Sequence, residues 1–287
     1  MILFARKLSR TRPQYYLLSQ FLHGIIIIIF CMARFSTYSA CALFLLLLPF
    51  LLLQRSFCLD LIVVGDSTAS DYTNSPSVYP QAGWATYLGN HIDSQRSGIR
   101  VLNLAAGGRS SKSYIDDGLW QQVKSQYLSA SDYVFIQFGH NDQNSGNSAV
   151  YTDPYTTFKK YLTTYVDDAR DYKANPVLLT PIARAVWQDG VFQQTLGDYP
   201  AAIRQLASDL DVPLIDLNAK TGSLFTKLGE STTQNKLFMC LPAGVYSNYP
   251  NGIFDTTHLQ VEGAKEVASL AAQGIADAGL PIASYVS

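Results

Sequence analysis

Apolar positions along the chain fall into two rhythms. Short, nearly continuous apolar runs rich in β-branched and aromatic residues occur at Leu59–Val64, Arg100–Leu104, Tyr133–Phe138, Pro176–Thr180 and Val212–Leu217. Each has the length of a strand. Continuous rather than alternating hydrophobicity implies burial on both faces of a sheet, which requires a parallel sheet covered by helices on each side. Between these runs, Gly83–His91, Leu119–Tyr127, Phe158–Tyr172, Tyr199–Leu210 and Val261–Gly279 carry apolar residues at spacings of three and four, the pattern of amphipathic helices. Pro154 and the pair Asp198 and Pro200 stand where helices open. The alternation predicts an α/β domain: a three-layer α/β/α sandwich around a doubly wound parallel sheet of about five strands. Ligands of such sheets bind beyond the carboxyl ends of the strands, so chemistry is sought in the segments that directly follow each run.

The first 58 residues follow neither rhythm. They contain Arg6, Lys7, Arg10, Arg12, Arg34 and Arg55, no Asp or Glu, and two apolar runs, Gly24–Phe30 and Cys41–Leu53. The second run is almost pure leucine, short for a hydrocarbon core of about 30 Å. It closes on Gln54-Arg55-Ser56 and reads as the apolar region of a signal peptide, with a one- or two-pass anchor as the competing reading. Met32, followed by Ala33 and Arg34, supplies the expected true start, and cleavage is expected near Ser56 to Cys58. The expected division is therefore a leader over 1–58 and a folded domain over 59–287. The product is expected to be secreted, extracellular and free of stable membrane association after cleavage.

Removing the leader leaves 229 residues with 15 Lys and Arg against 22 Asp and Glu, a net charge of −7. Such a balance argues against a nucleic-acid partner, which would need a basic stripe, and it gives no general attraction to an acidic polymer. Cys31 and Cys41 fall in the leader, Cys58 at its edge, and Cys240 alone well inside the domain. Cys240 is read as a buried, inert thiol, with a bridge to Cys58 left open if cleavage falls earlier. There is no H-E-x-x-H, no C-x-x-C and no histidine cluster, so neither metal nor other cofactor is expected. A monomer is expected.

Four segments that follow strand runs carry reactive residue types. Gly65-Asp66-Ser67-Thr68 ends the first run and places a serine hydroxyl at its carboxyl edge. A serine needs a base to take its proton. Asp255-Thr256-Thr257-His258 supplies one just before the terminal helix, at a spacing that lets a carboxylate reach the imidazole Nδ1. Gly139-His140-Asn141-Asp142 follows the third run, and an Asn amide can donate to an oxyanion. Gly107-Gly108-Arg109-Ser110-Ser111 follows the second, where glycine lets backbone approach a substrate. Each segment taken singly is an ordinary turn; their joint placement at one sheet edge is what points to a hydrolase. No G-x-S-x-G elbow is present, which argues against the α/β-hydrolase arrangement.

Read together, G-D-S-T, G-G-R-S, G-H-N-D and D-T-T-H make residues 59–287 resemble the SGNH (GDSL-like) hydrolases, whose sheet is flavodoxin-like. Within them, Asn103 to Tyr114, Gly139 to Asp142 and Asp255 to Leu259 resemble the rhamnogalacturonan acetylesterases, which remove acetyl esters from pectin. The resemblance implies Ser67 as nucleophile, His258 as general base and acid, and Asp255 as its orienting carboxylate. It implies an oxyanion hole from the Ser67 and Gly108 backbone N–H groups and the Asn141 side chain. Arg109, Lys112 and Tyr114 are expected substrate contacts, and an acetylated polysaccharide the expected partner. Acetyl xylan esterase or lipase activity with the same triad, and a catalytically silent carbohydrate-binding protein, are the rival readings. Unlike fungal members, this chain lacks a clear set of paired cysteines in the domain.

Overall fold

The computed structural model describes residues 59–287. The expected leader, its Met32 start, the cleavage region and Cys58 lie outside the described residues. Five parallel strands form the main sheet: β1 (Asp60–Gly65), β2 (Arg100–Asn103), β3 (Tyr133–Gln137), β4 (Asn175–Leu179) and β5 (Leu214–Ile215). Their spatial order is β2-β1-β3-β4-β5. The chain steps outward from β1 to β2 and then returns across β1 to β3, so the winding direction reverses between β1 and β3. That switch point is where a doubly wound sheet opens a crevice at its carboxyl edge.

Burial on both faces explains the unbroken apolar runs. Along β1, Leu61 and Val63 face a layer containing Leu88 of α1 (Ala85–Leu88), Phe225 of α6 (Leu217–Leu228) and Val267, Ala271 and Ile275 of α7 (Val261–Asp277). Ile62 and Val64 face the opposite layer. There they meet the core built from Trp120 of α3 (Leu119–Gln126), Leu162 and Val166 of α4 (Lys159–Asp171), and Ile203 and Leu206 of α5 (Tyr199–Asp209). All four β1 side chains are fully buried, and each contributes about 1.5–3 kcal/mol. Register at the start of the β1–β2 pair is reinforced by charge: Asp60 lies opposite Arg100, whose Nε and Nη2 donate to the two carboxylate oxygens at 3.0 and 2.8 Å.

The five expected strands and five expected helices are present within a few residues of their predicted limits. Among the described residues, two helices of six residues or more were not anticipated. The first, α2 (Ser111–Asp116), is nucleated by a reciprocal cap in which Ser110 Oγ accepts the Ser113 N–H and Ser113 Oγ accepts the Ser110 N–H. The second, α6, carries Thr221, Gly222, Ser223 and Thr226 in its interior, residues that weaken a helical signal although packing against α7 holds them helical. Two antiparallel pairs also lie outside the main sheet. One is the Trp187–Gln188 and Val191–Phe192 hairpin; the other joins β6 (Phe238–Leu241) to β7 (Ile253–Leu259). This second pair carries the histidine of the site.

Candidate active site

Ser67 stands two residues beyond β1. A side chain at Gly65 would place its Cβ 2.7 Å from the Gln137 carbonyl of β3, so glycine there lets the two strands stay paired up to the turn that carries Ser67. From the other end of the chain, β7 delivers the histidine. Met239 of β6 pairs with Asp255 and Phe238 pairs with Leu259, which leaves Thr256, Thr257 and His258 bulged out of the ladder. The expected loop after the fifth strand is thus corrected to a bulge inside a seventh. Its flanks, Ile253-Phe254 and Leu259, lack the regular apolar alternation that would have revealed the strand.

The bulge aims His258 at Ser67. His258 Nε2 lies 2.8 Å from Ser67 Oγ, and its Nδ1 lies 2.7 Å from Asp255 Oδ2. The other carboxylate oxygen of Asp255 accepts the backbone N–H groups of Thr257 and His258 at 2.8 and 3.0 Å. Partial burial works to raise the Asp255 carboxyl, but the His258 ring and these two amides outweigh it and hold the group below its ordinary value. The carboxylate therefore stays ionised and fixes the ring with Nδ1 as donor, leaving Nε2 to accept a proton from serine.

The expected oxyanion donors converge on the same edge. Gly108 has φ +74°, a conformation that glycine takes without strain. Asn141 Nδ2 donates to the Arg109 carbonyl at 2.9 Å, which ties the segment after β3 to the glycine loop after β2 and leaves its second hydrogen for another acceptor. Among the described residues, no protein acceptor takes the Ser67 or Gly108 N–H. Asp142 fastens this arrangement from below. Its carboxylate accepts the Ser111 N–H and hydroxyl and the Thr152 hydroxyl, yet deep burial dominates and lifts its pKa to about 7.

The expected substrate contacts are placed differently. Tyr114 is 1% exposed, packed against Phe138 and Tyr165 in the core with its hydroxyl on the Leu104 carbonyl. It is a core residue, and the expectation that it touches substrate is corrected: its aromatic bulk completes the α2–α4 layer. Lys112 Nζ donates to the Ser148 carbonyl at 2.6 Å, and Arg109 pairs with Asp117 at 2.7 Å. Neither contact involves Ser67, and Arg109 Nη1 also donates to the Gly107 carbonyl at 3.2 Å. Cys240 is a buried free thiol, pushed up to about 11 by burial, whose Sγ lies 3.5 Å from the Asp255 carbonyl.

This geometry coincides with a family match. Residues 63–265 match the GDSL-like lipase/acylhydrolase family. The chain belongs to that family. As one of these SGNH hydrolases it is an esterase acting on carboxylic ester bonds. Over 229 residues it is 39% identical to the rhamnogalacturonan acetylesterase RhgT of Bacillus subtilis (strain 168), covering 79% of this chain and 94% of that protein. The solved structure of Bacillus subtilis YxiM is 27% identical with a TM-score of 0.63; the match spans 78% of this chain and 58% of that one. The acetylxylan esterase Axe2 of Geobacillus stearothermophilus shares the SGNH fold at 18% identity and a TM-score of 0.55, over 75% of this chain and 93% of that one.

Two residues at the site of this GDSL-like hydrolase escaped the sequence reading. Arg184, two residues after Ile182 in the segment beyond β4, donates to Gln143 Oε1 at 2.8 Å and to Thr257 Oγ1 at 3.2 Å. It braces the histidine bulge against the segment after β3. Burial lowers its pKa, and the charges of Asp66 and Asp255 oppose that shift. Tyr72 donates its hydroxyl to the Ser67 carbonyl at 3.1 Å. A lone cation in Pro181-Ile-Ala-Arg184 was the available signal for Arg184; one tyrosine among 18 gave none for Tyr72. Among the described residues, no group of three or more His, Cys, Asp or Glu side chains is arranged to hold a metal, and no helix is long and apolar enough to cross a membrane.

Proposed function

We propose that this chain is a secreted carbohydrate esterase that removes acetyl groups from rhamnogalacturonan through an acetyl-Ser67 intermediate. The observation that carries the reading is the line Asp255–His258–Ser67, with contacts of 2.7 and 2.8 Å, in a chain 39% identical to a rhamnogalacturonan acetylesterase. Ser67 Oγ attacks the acetyl carbonyl while His258 Nε2 takes the hydroxyl proton. The resulting oxyanion accepts hydrogen bonds from the Ser67 and Gly108 N–H groups and from Asn141 Nδ2. Collapse breaks the bond to the sugar oxygen, which leaves with the proton from His258. Water then attacks the acetyl-serine with His258 again as base, releasing acetate and restoring Ser67. The route uses the chain's own groups throughout.

The test measures acetate release from acetylated rhamnogalacturonan and acetylated xylan, and nitrophenol release from p-nitrophenyl acetate, beside a Ser67→Ala control. Release from rhamnogalacturonan that disappears in the variant is the expected result. Ser67-dependent release from the other substrates alone keeps the mechanism and rejects the pectin assignment, whereas release unaffected by Ser67→Ala rejects the serine mechanism. Secretion rests on the leader's composition and is tested by sequencing the amino terminus of exported protein; a start upstream of Met32 would reject the shorter leader.

A further inference from the structure

Beside the nucleophile lies a cavity of about 320 Å³ whose lining includes the rings of Tyr72, Tyr79 and Tyr87 and the polar groups of Thr73, Gln81 and Thr86. We infer that this cavity holds a neutral pyranose ring of the polysaccharide next to the esterified residue. The inference rests on the carbohydrate reading above and adds a specificity site to it. Its size, at the low end of the range of about 300–1,000 Å³ for small-ligand sites, suits one sugar ring rather than a chain.

Three features support this occupant. The first is continuity with the reacting centre: Tyr72 both lines the cavity and holds the Ser67 carbonyl. A Cβ at Gly107 would lie 3.5 Å from the Tyr72 hydroxyl and 3.8 Å from Ser67 Cβ, so the loop's missing side chain leaves the path between them open. A polymer whose ester reaches Ser67 runs directly over Tyr72.

The second is a fixed, uncovered aromatic ring. Tyr79 is 57% exposed, yet it packs edge-on against Tyr246 at 6.1 Å, while Asn248 and Tyr249 donate to the carbonyls of Tyr79 and Val78 at 3.2 Å each. The exposed ring offers an apolar face, and the backbone held beneath it lowers the entropy cost of binding there. A pyranose offers the matching surface, a C–H face for the ring and hydroxyls at its rim for Thr73, Gln81 and Thr86.

The third is charge. Among the described residues, no ionisable acid or base other than tyrosine lines the cavity. Lys265 stands over one face of the Tyr87 ring at 5.6 Å, and Asp71 acts on the same tyrosine from nearby. These opposite charges flank the cavity without lining it, so a uronate carboxylate finds no cation inside. Of the two sugars for which rhamnogalacturonan is named, rhamnose is uncharged and carries a methyl group. The site therefore fits the neutral 6-deoxyhexose, leaving the charged sugar over the triad.

Two measurements test this. The first compares kcat/KM of wild type and Tyr79→Ala on acetylated rhamnogalacturonan oligosaccharides and on p-nitrophenyl acetate. The ratio of the two activities is expected to fall about 10-fold, chiefly through KM on the oligosaccharide, as expected for losing one ring contact. A ratio that stays constant overturns the inference. The second uses Ser67→Ala with deacetylated oligosaccharide and reads saturation-transfer signals from the sugar protons, independently of turnover. Strongest transfer to the methyl and ring protons of the neutral sugar, weakened by Tyr79→Ala, supports the site. Transfer confined to the uronate overturns it. Failure of rhamnogalacturonan hydrolysis with intact, Tyr79-sensitive binding would instead fault the activity reading alone.

Discussion

His258 and His140 each face an aspartate through Nδ1, at 2.7 Å from Asp255 and 3.2 Å from Asp66. Their surroundings give them different tasks. His258 is partly exposed and its Nε2 meets the Ser67 hydroxyl. His140 is 6% exposed, and among the described residues its Nε2 meets no partner. Asp66 is fully buried, and that burial works to raise its pKa. It is nonetheless held below its ordinary value by His140 and by the hydroxyl and N–H of Thr68. Gln137 Nε2 also approaches Asp66, while Gln137 Oε1 accepts the Trp84 indole N–H. The buried pair thus knots the turn after β1 to the segment after β3, and the exposed pair acts on what the knot holds in place. An Asp–His couple becomes a base only where its far nitrogen opens onto a hydroxyl.

Replacing each histidine in turn should separate these tasks. His258→Ala is expected to reduce kcat by at least about 10⁴-fold with the melting temperature nearly unchanged. His140→Ala is expected to lower stability by about 1–3 kcal/mol in denaturant unfolding, because it strips a buried carboxylate of a partner. Equal kinetic loss from both, without loss of stability in the second, would erase the distinction.

Asn141→Ala tests the neighbour of the buried histidine. A fall in kcat of about 100- to 1,000-fold is expected, with folding retained. Activity above half that of wild type would remove Asn141 from the oxyanion hole.

Asp142 titrates with a sign opposite to that of Asp66. Its folded pKa, about 7, exceeds the ordinary 3.8, so the folded protein keeps a proton that the unfolded chain has released. Its contribution to stability is complete below about pH 4 and declines as pH rises towards 7. Asp142→Asn, which resembles the protonated acid, should flatten that part of the stability profile. For Asp66 the depressed value predicts the reverse, stability lost as pH falls through its folded pKa. An unchanged pH profile in Asp142→Asn would show that the protonated carboxyl does not set this slope.

Legibility in the sequence followed the physics of each part. The main sheet was readable because strands buried on both faces leave continuous apolar runs, as at Leu61 to Val64. The segments that hold Ser67, Asn141 and Gly108 stood out as short polar or glycine-rich turns after strand ends, while the roles expected of these residues came from the family resemblance. The β6–β7 pair was hidden: β6 is a four-residue apolar run, and β7 interrupts its own alternation with the bulge that presents His258. Tyr114 misled because the direction of a side chain within α2 is set by how that helix sits on its neighbours, and this face turns into the core. Arg184 and Tyr72 act through contacts 73 and five residues away, which periodicity does not register.

The bulge also sets when this enzyme can exist at all. Ser67 and His258 are separated by 191 positions, and synthesis proceeds from the amino end. A growing chain displays its proposed hydroxyl nucleophile early but lacks the histidine that would arm it until β7 has emerged and closed on the sheet. The order of synthesis therefore acts as a safety catch: hydrolytic competence waits for β7, and a chain cut short before β7 is an unarmed serine on a partial sheet.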